Sequence, residues 1–186
     1  MKLPSRYPRS EGPITGMLLV VGDPWPDWFR GLRHSAFHLE VRDSYVEASE
    51  SSRLQAFLAG DPAPDEPPVP WHGLMRETTA RGVSVSRVRI VTVPHSDYHR
   101  WLLSITGLNI ESGEEIRYLP RDEAGPVPPD DWWLFDDEKV AYNLVDAAGK
   151  PAGVAVTTDP QLAEYCRSVR DRLWQIATPY AEYISS

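Results

Sequence analysis

The stretch from Trp71 to Arg121 constrains the fold most, because the spacing of its apolar residues switches from helical to strand-like, back to helical, and then to strand-like again. "WHGLMRETTARGVSVSRVRIVTV" predicts a helix to about Ala80 and a stop at Gly82. A β-branched run follows through Val83, Val85, Val88, Ile90 and Val93. In "HSDYHRWLLSITGLNIESG", Ser96 or Asp97 can cap a helix that turns Trp101, Leu102 and Ile105 inward. "EEIRYLPR" then reads as a second strand. Strand, helix and strand within about 35 residues make a βαβ unit, whose crossover is right-handed and whose strands are parallel. That pair is expected at the centre of the sheet.

The flanking segments are built around this unit. "DPWPDWFRGL" predicts a turn and one or two helical turns with Trp28, Phe29 and Leu32 on the apolar side. "HSAFHLEVRDSY" alternates Phe37, Leu39 and Val41 with His38, Glu40 and Arg42, a strand period. "EASESSRLQAFLAG" reads as a helix ended by Gly60. "DPAPDEPPVP", residues 61–70, holds too many prolines for a helix or a central strand and reads as a stiff strap, with a polyproline ligand as the functional alternative. The runs "WWLFD", "KVAYNLVD" and "PAGVAVTTD" carry hairpin signals. "DPQLAEYCRSVRDRLWQIATPYAEY" places Leu162, Tyr165, Cys166, Val169, Leu173 and Ile176 at spacings of three and four, a long helix capped by Asp159. The expected class is α+β: a mixed sheet with a central βαβ unit, an antiparallel meander and a long C-terminal helix. Residues 1–22 are expected to be a flexible extension, with Met17 a candidate functional start, and 23–186 a single domain.

A chain of 186 residues, 41% hydrophobic, can fill one sizeable core. A single Cys excludes a disulfide framework and a four-thiolate metal site and fits a reducing cytoplasm. The net charge of -8 opposes phosphate binding over a large surface, so direct nucleic-acid binding is not expected. It would need a basic stripe joining Arg81, Arg87, Arg89, Arg100 and Arg117. "MLLVV" is far shorter than the roughly 20 residues that span a bilayer, and no membrane partner is expected.

The acidic pairs of "DDWWLFDDEKV", residues 130–140, raise the question of a carboxylate cluster. On a strand of roughly 3.3 Å per residue, Asp131 and Asp136 stand about 16 Å apart and face opposite ways, so one metal cannot use both. A strand buried on both faces between acidic turns explains the stretch better, with Trp132 free to line a pocket. His34/His38 and His95/His99 have i, i+4 spacing, but the first lies along a strand and His95 precedes its helix cap. Cys166 sits in an apolar stripe, which suits a buried thiol better than a nucleophile. No phosphate-binding glycine loop or nucleophile elbow is present. No metal, cofactor or catalytic residue is expected.

"HSAFHLEVRDSY", "FLAG", "TARGVSVSRVRIV", "SDYHRWLL", "IRYLPRD", "DDWWLFDD" and "YCRSVRDRLWQIATPY" together resemble an actinobacterial family classed as a domain of unknown function and often encoded beside helix-turn-helix regulators. The resemblance covers about residues 25–183. His38 stands where that pattern more often has Arg, and Trp132 where it has Phe, so a ligand role does not rest on those two alone. The element order is also similar to one half of the phospholipase D-like fold. If Asp136 takes the place of that fold's catalytic Asp, Pro129 and Asp131 stand at its His and Lys, so the resemblance implies a degenerate half without phosphodiesterase chemistry.

The expected function is a non-catalytic cytoplasmic regulatory or binding module, accessory to a helix-turn-helix regulator or contacting another protein or a small molecule. Its candidate binding residues are His34, Arg42, Asp43, Tyr45, Asp97, Tyr98, Arg100 and Trp132. The alternative is a hydrolase or phosphodiesterase with His34 or His95 as general base, oriented by Asp43 or Asp97.

Overall fold

A computed structural model describes residues 16–45, 48–60 and 69–185. The expected βαβ unit is present, but its strands are sixth and seventh in an eight-stranded sheet rather than at the centre. Strand β3 (Ser84–Val91) runs parallel to β4 (Glu114–Pro120) through helix α4 (Asp97–Glu111). Ser96 is the cap, its side chain accepting from the His99 N–H at 3.2 Å. Gly113 turns the chain back into β4 with φ of +101°, and an added Cβ there would lie 2.4 Å from Thr79 Oγ1.

Strand β2 (Ser35–Glu40) is parallel to β3, and two helices, α2 (Ala48–Ala59) and α3 (Pro70–Ala80), lie between them in sequence. On the other side of β2, an antiparallel meander of β5 (Trp132–Phe135), β6 (Lys139–Val145) and β7 (Pro151–Thr157) extends the sheet. With β1 (Leu18–Val20) and β8 (Thr178–Pro179) the order is β1-β7-β6-β5-β2-β3-β4-β8. The architecture is the expected mixed α+β one.

Strand alternation divides the core. Phe37, Leu39, Val88, Ile90, Trp132 and Leu134 meet Cys166, Val169 and Leu173 of helix α5 (Pro160–Ile176). On the opposite face Ala36, Val85, Trp133 and Phe135 pack with Phe29 of helix α1 (Trp25–Gly31) and with Leu74 and Met75 of α3. All four residues of β5 are buried, as a strand covered on both faces requires. Full burial of side chains this large contributes about 1.5–3 kcal/mol each.

Three other expectations change. Leu18–Val20, inside the presumed extension 1–22, is a strand paired antiparallel to β7, because its backbone completes the open edge of the meander. The long helix ends at Ile176, followed by β8 and a short helix α6 (Tyr180–Tyr183), since Arg117 and Tyr118 of β4 pair with Pro179 and Thr178. Tyr165 and Ile176, placed on the helix's inner stripe, are about half exposed, while Ala163 is buried in their stead. Most of the strap at 61–70 lies outside the described residues.

Candidate functional site

The polar residues of the adjacent parallel strands β2 and β3 share one face. On β2, His38 and Glu40 alternate with Phe37 and Leu39, and on β3, Arg87 and Arg89 alternate with Val88 and Ile90. Because helices cover this face, the charges are taken out of water and must pair with one another. Arg87 donates to Glu40 and, at 2.7 Å, to Glu114 Oε2; Arg89 donates to Glu40 and also to Thr106 Oγ1 at 2.8 Å and Tyr118 Oη at 2.9 Å. Glu114 in turn accepts from Trp71 Nε1 at 2.6 Å and Asn109 Nδ2 at 2.8 Å. Burial alone would raise the Glu40 carboxyl, but the two guanidiniums outweigh it and hold the group far below the usual range.

Above this network lies a cavity of about 620 Å³. Its floor is His38, Glu40, Arg87, Arg89, Trp133 and Asn143 from the sheet; α3 contributes Trp71 and Arg76, α4 Tyr98 and Trp101, and α2 Glu50 and Phe57. That volume lies within the range of small-molecule sites. His38 is 5% exposed and stacks on Trp133 with ring centroids 4.1 Å apart and planes 10° from parallel. Its Nδ1 lies 3.4 Å from Glu40 Oε1 without hydrogen-bond alignment, and neither ring nitrogen has a hydrogen bond. Burial pushes its pKa well below 6.5, so the imidazole is neutral at physiological pH.

The residues singled out from sequence scatter around this cavity. Tyr98 lines it, buried, with its hydroxyl donating to Glu50 Oε2 at 2.7 Å. Tyr45 packs beside Tyr98 at 5.6 Å and donates to Asp131 in a smaller adjoining pocket. Trp132 faces the opposite way, into the core under α5, and its neighbour Trp133 meets the cavity. His34 is exposed at the start of β2, where its backbone N–H donates to Asp136. Asp97 and Arg100 pair with each other on the exposed side of α4, and Arg42 donates to Asp130 at 3.0 Å.

The expected His/Asp pairs do not meet. His95 contacts Thr92 O at 3.2 Å and Tyr183 Oη at 3.0 Å, and Asp43 binds Thr92 and Arg121. The His nearest Asp43 is His99, at 3.7 Å, and burial lowers its pKa. Asp136, the stand-in for a catalytic Asp, accepts backbone N–H groups from Arg33, His34 and Ser35. Arg87 and Arg89 cannot belong to a surface stripe, since both are buried against carboxylates. Among the described residues no group of three or more His, Cys, Asp or Glu is arranged to hold a metal ion, and no helix is long and apolar enough to cross a membrane.

Sequence reasoning gave Glu40, Trp133 and Asn143 no binding role and named Arg87 only in a stripe for nucleic acid. Part of the signal was present: charges at i, i+2 spacing on apolar strands, which puts them on one face of the sheet.

Residues 23–185 match the family model of a domain of unknown function (DUF6879), and the chain belongs to that family. No curated protein matches it in sequence. Among solved structures it is similar to a phospholipase D family member, Nuc from Salmonella typhimurium, with a TM-score of 0.52 and 15% identity over 83% of this chain and 87% of that one. It is also similar to TrmBL2, an archaeal chromatin protein whose structure shows a novel mode of DNA binding, with a TM-score of 0.51 and 13% identity. That match covers 92% of this chain and 55% of the chromatin protein, so the chain spans about half the length of that relative. These likenesses establish the fold. The second overturns the expectation from net charge that direct nucleic-acid binding is disfavoured. A DNA-binding protein carries this fold, and whole-chain charge does not describe a local surface.

Proposed function

We propose that this member of the DUF6879 family is a non-catalytic cytoplasmic module that binds a small ligand in the cavity above Arg87 and Glu40 and has a regulatory role, accessory to a helix-turn-helix regulator as the sequence resemblance implies. The observation that carries the reading is the set of buried, unpaired polar atoms on the cavity floor: both ring nitrogens of His38, with Asn143 Oδ1 and Arg87 Nε. An unpaired buried polar group costs about 1–3 kcal/mol, and a ligand that pairs it recovers that cost on binding. Around it the ion network holds the side chains in place, the preorganisation a binding floor needs. Of the residues chosen from sequence, Tyr98 is part of the wall and Tyr45 braces it.

The test is a thermal-shift screen of a broad metabolite panel against the native chain and His38→Phe. The reading expects at least one compound to raise the native melting temperature and to lose most of that effect in the variant. A panel with no stabilising compound counts against it.

The likeness to a DNA-binding chromatin protein favours a second reading, nucleic-acid binding by this chain. Anisotropy titrations of a labelled duplex at several salt concentrations test it. A binding constant that falls steeply with salt supports phosphate contacts, and weak, salt-insensitive binding counts against them.

A further inference from the structure

The polar groups left unpaired on the cavity floor have a particular chemistry. His38 Nδ1 and Nε2, Asn143 Oδ1 and Arg87 Nε are all buried without hydrogen bonds, and all three side chains line the cavity. A neutral imidazole offers one donor and one acceptor, an amide oxygen accepts, and a guanidinium N–H donates. The unmet set therefore mixes donors and acceptors over a short span of sheet.

The walls add flat apolar surface. Trp71 and Trp133 lie 5.8 Å apart by ring centroids, tilted by 55°, and His38 lies flat on Trp133, which leaves its ring nitrogens to be approached edge-on. The floor cations are neutralised, Arg87 and Arg89 by Glu40 and Arg87 also by Glu114, which lies outside the cavity lining. Both oxygens of Glu40 are held by the arginines, which fixes its carboxylate on the floor. At the rim, Arg53 and Arg76 are accompanied by Glu50 and Glu111, so no cationic track leads in.

Resting on the ligand-site reading above, we propose that the cavity binds a nucleobase: a flat, uncharged nitrogen heterocycle whose edge carries both donors and acceptors. The ring packs against Trp71, and its edge pairs with His38, Asn143 and Arg87. The base is carried by a free nucleoside or exposed in a single nucleic-acid strand. The balanced rim favours the nucleoside.

Isothermal titration of the full chain with adenosine, guanosine, cytidine and thymidine tests this, beside glucose, benzoate and a mixed-sequence single-stranded oligonucleotide. At least one nucleoside is expected to bind, with an affinity unchanged between about 50 and about 200 mM salt. His38→Phe keeps the ring and removes the nitrogens, and should weaken binding about tenfold or more. Asn143→Ala is the second variant should the first fail to fold, which melting without ligand reveals. An oligonucleotide that binds more tightly than any nucleoside, and loses affinity with salt, assigns the base to a single strand and still supports the pocket chemistry. Binding of glucose or benzoate without any nucleoside overturns the nucleobase assignment and leaves the ligand site standing. A metabolite that stabilises the protein in the broad panel while every nucleoside fails has the same meaning. Silence in both experiments overturns both.

Discussion

Glu40 of β2 and Arg89 of β3 stand side by side on adjacent parallel strands, and the guanidinium Nε of Arg89 donates to Glu40 Oε2 beneath the cavity. Arg87 reaches the other oxygen, so one carboxylate holds two buried cations. Removing it leaves Arg89 without a carboxylate and Arg87 with Glu114 alone.

Glu40→Gln should therefore destabilise the fold by about 3–5 kcal/mol, the range for breaking a buried pair from one side. Replacing Glu40 and Arg89 together by Leu and Met should cost less than the sum of the single changes, because no unpaired ion is left between them. Urea unfolding of Glu40→Gln, Glu40→Leu, Arg89→Met and the Leu/Met double variant measures both.

Asp131 supplies a pH dependence. Burial raises its carboxyl from 3.8 to about 6, against hydrogen bonds from Tyr45 and the Val41 N–H. Between those values the folded chain binds the proton more tightly than the unfolded chain. The stability contributed by this group is thus present below about pH 4 and is lost as pH rises through about 6. The stability difference between the native protein and Asp131→Asn should shift by up to about 3 kcal/mol across that window, in the direction of the variant at higher pH. Unfolding midpoints taken from pH 4 to pH 7 check the sign.

The turn from β5 to β6 has positive φ at Asp136 and Asp137, 49° and 61°, with Glu138 N–H donating to Phe135 O. Aspartate tolerates this conformation better than alanine. Asp136→Ala loses that tolerance and the acceptor of the Arg33, His34 and Ser35 N–H groups. A loss of about 2–3 kcal/mol is expected in chemical unfolding. At Asp137, glycine relieves the backbone but removes the ion pair with Arg170, and the two effects should nearly cancel.

Cys166 is buried, with its thiol pushed up to about 11 by burial. Iodoacetamide should label it at least about a hundredfold more slowly in the native protein than in urea, since the thiolate is the nucleophile. Comparable rates would mean that the α5 face opens readily.

The βαβ unit was legible because β3, α4 and β4 each repeat their own period over many residues and end at recognisable caps; its place toward one side of the sheet was not. Leu18–Val20 and Thr178–Pro179 were not: each is a strand only because a distant partner, β7 or β4, offers a free edge. The site divides in the same way. Alternation put His38 and Glu40 on one face and separated Trp132 from Trp133, but which face carries a cavity is decided by where α2, α3 and α4 pack. Choosing Trp132 over Trp133 was a choice of face that local sequence does not make. The candidates around Asp43 and Asp97 came from exposed motifs. The charges that meet, Arg87 and Glu40, are 47 positions apart.

The central claim is that the cavity over His38 is a ligand site, and ligand-induced stabilisation tests it most directly. With a compound at about a hundred times its dissociation constant, the melting temperature should rise by about 5–10 °C in the native chain and in the surface variant Glu182→Gln, and by far less in His38→Phe. An equal rise in all three would place binding elsewhere, and no rise with any compound would contradict the claim.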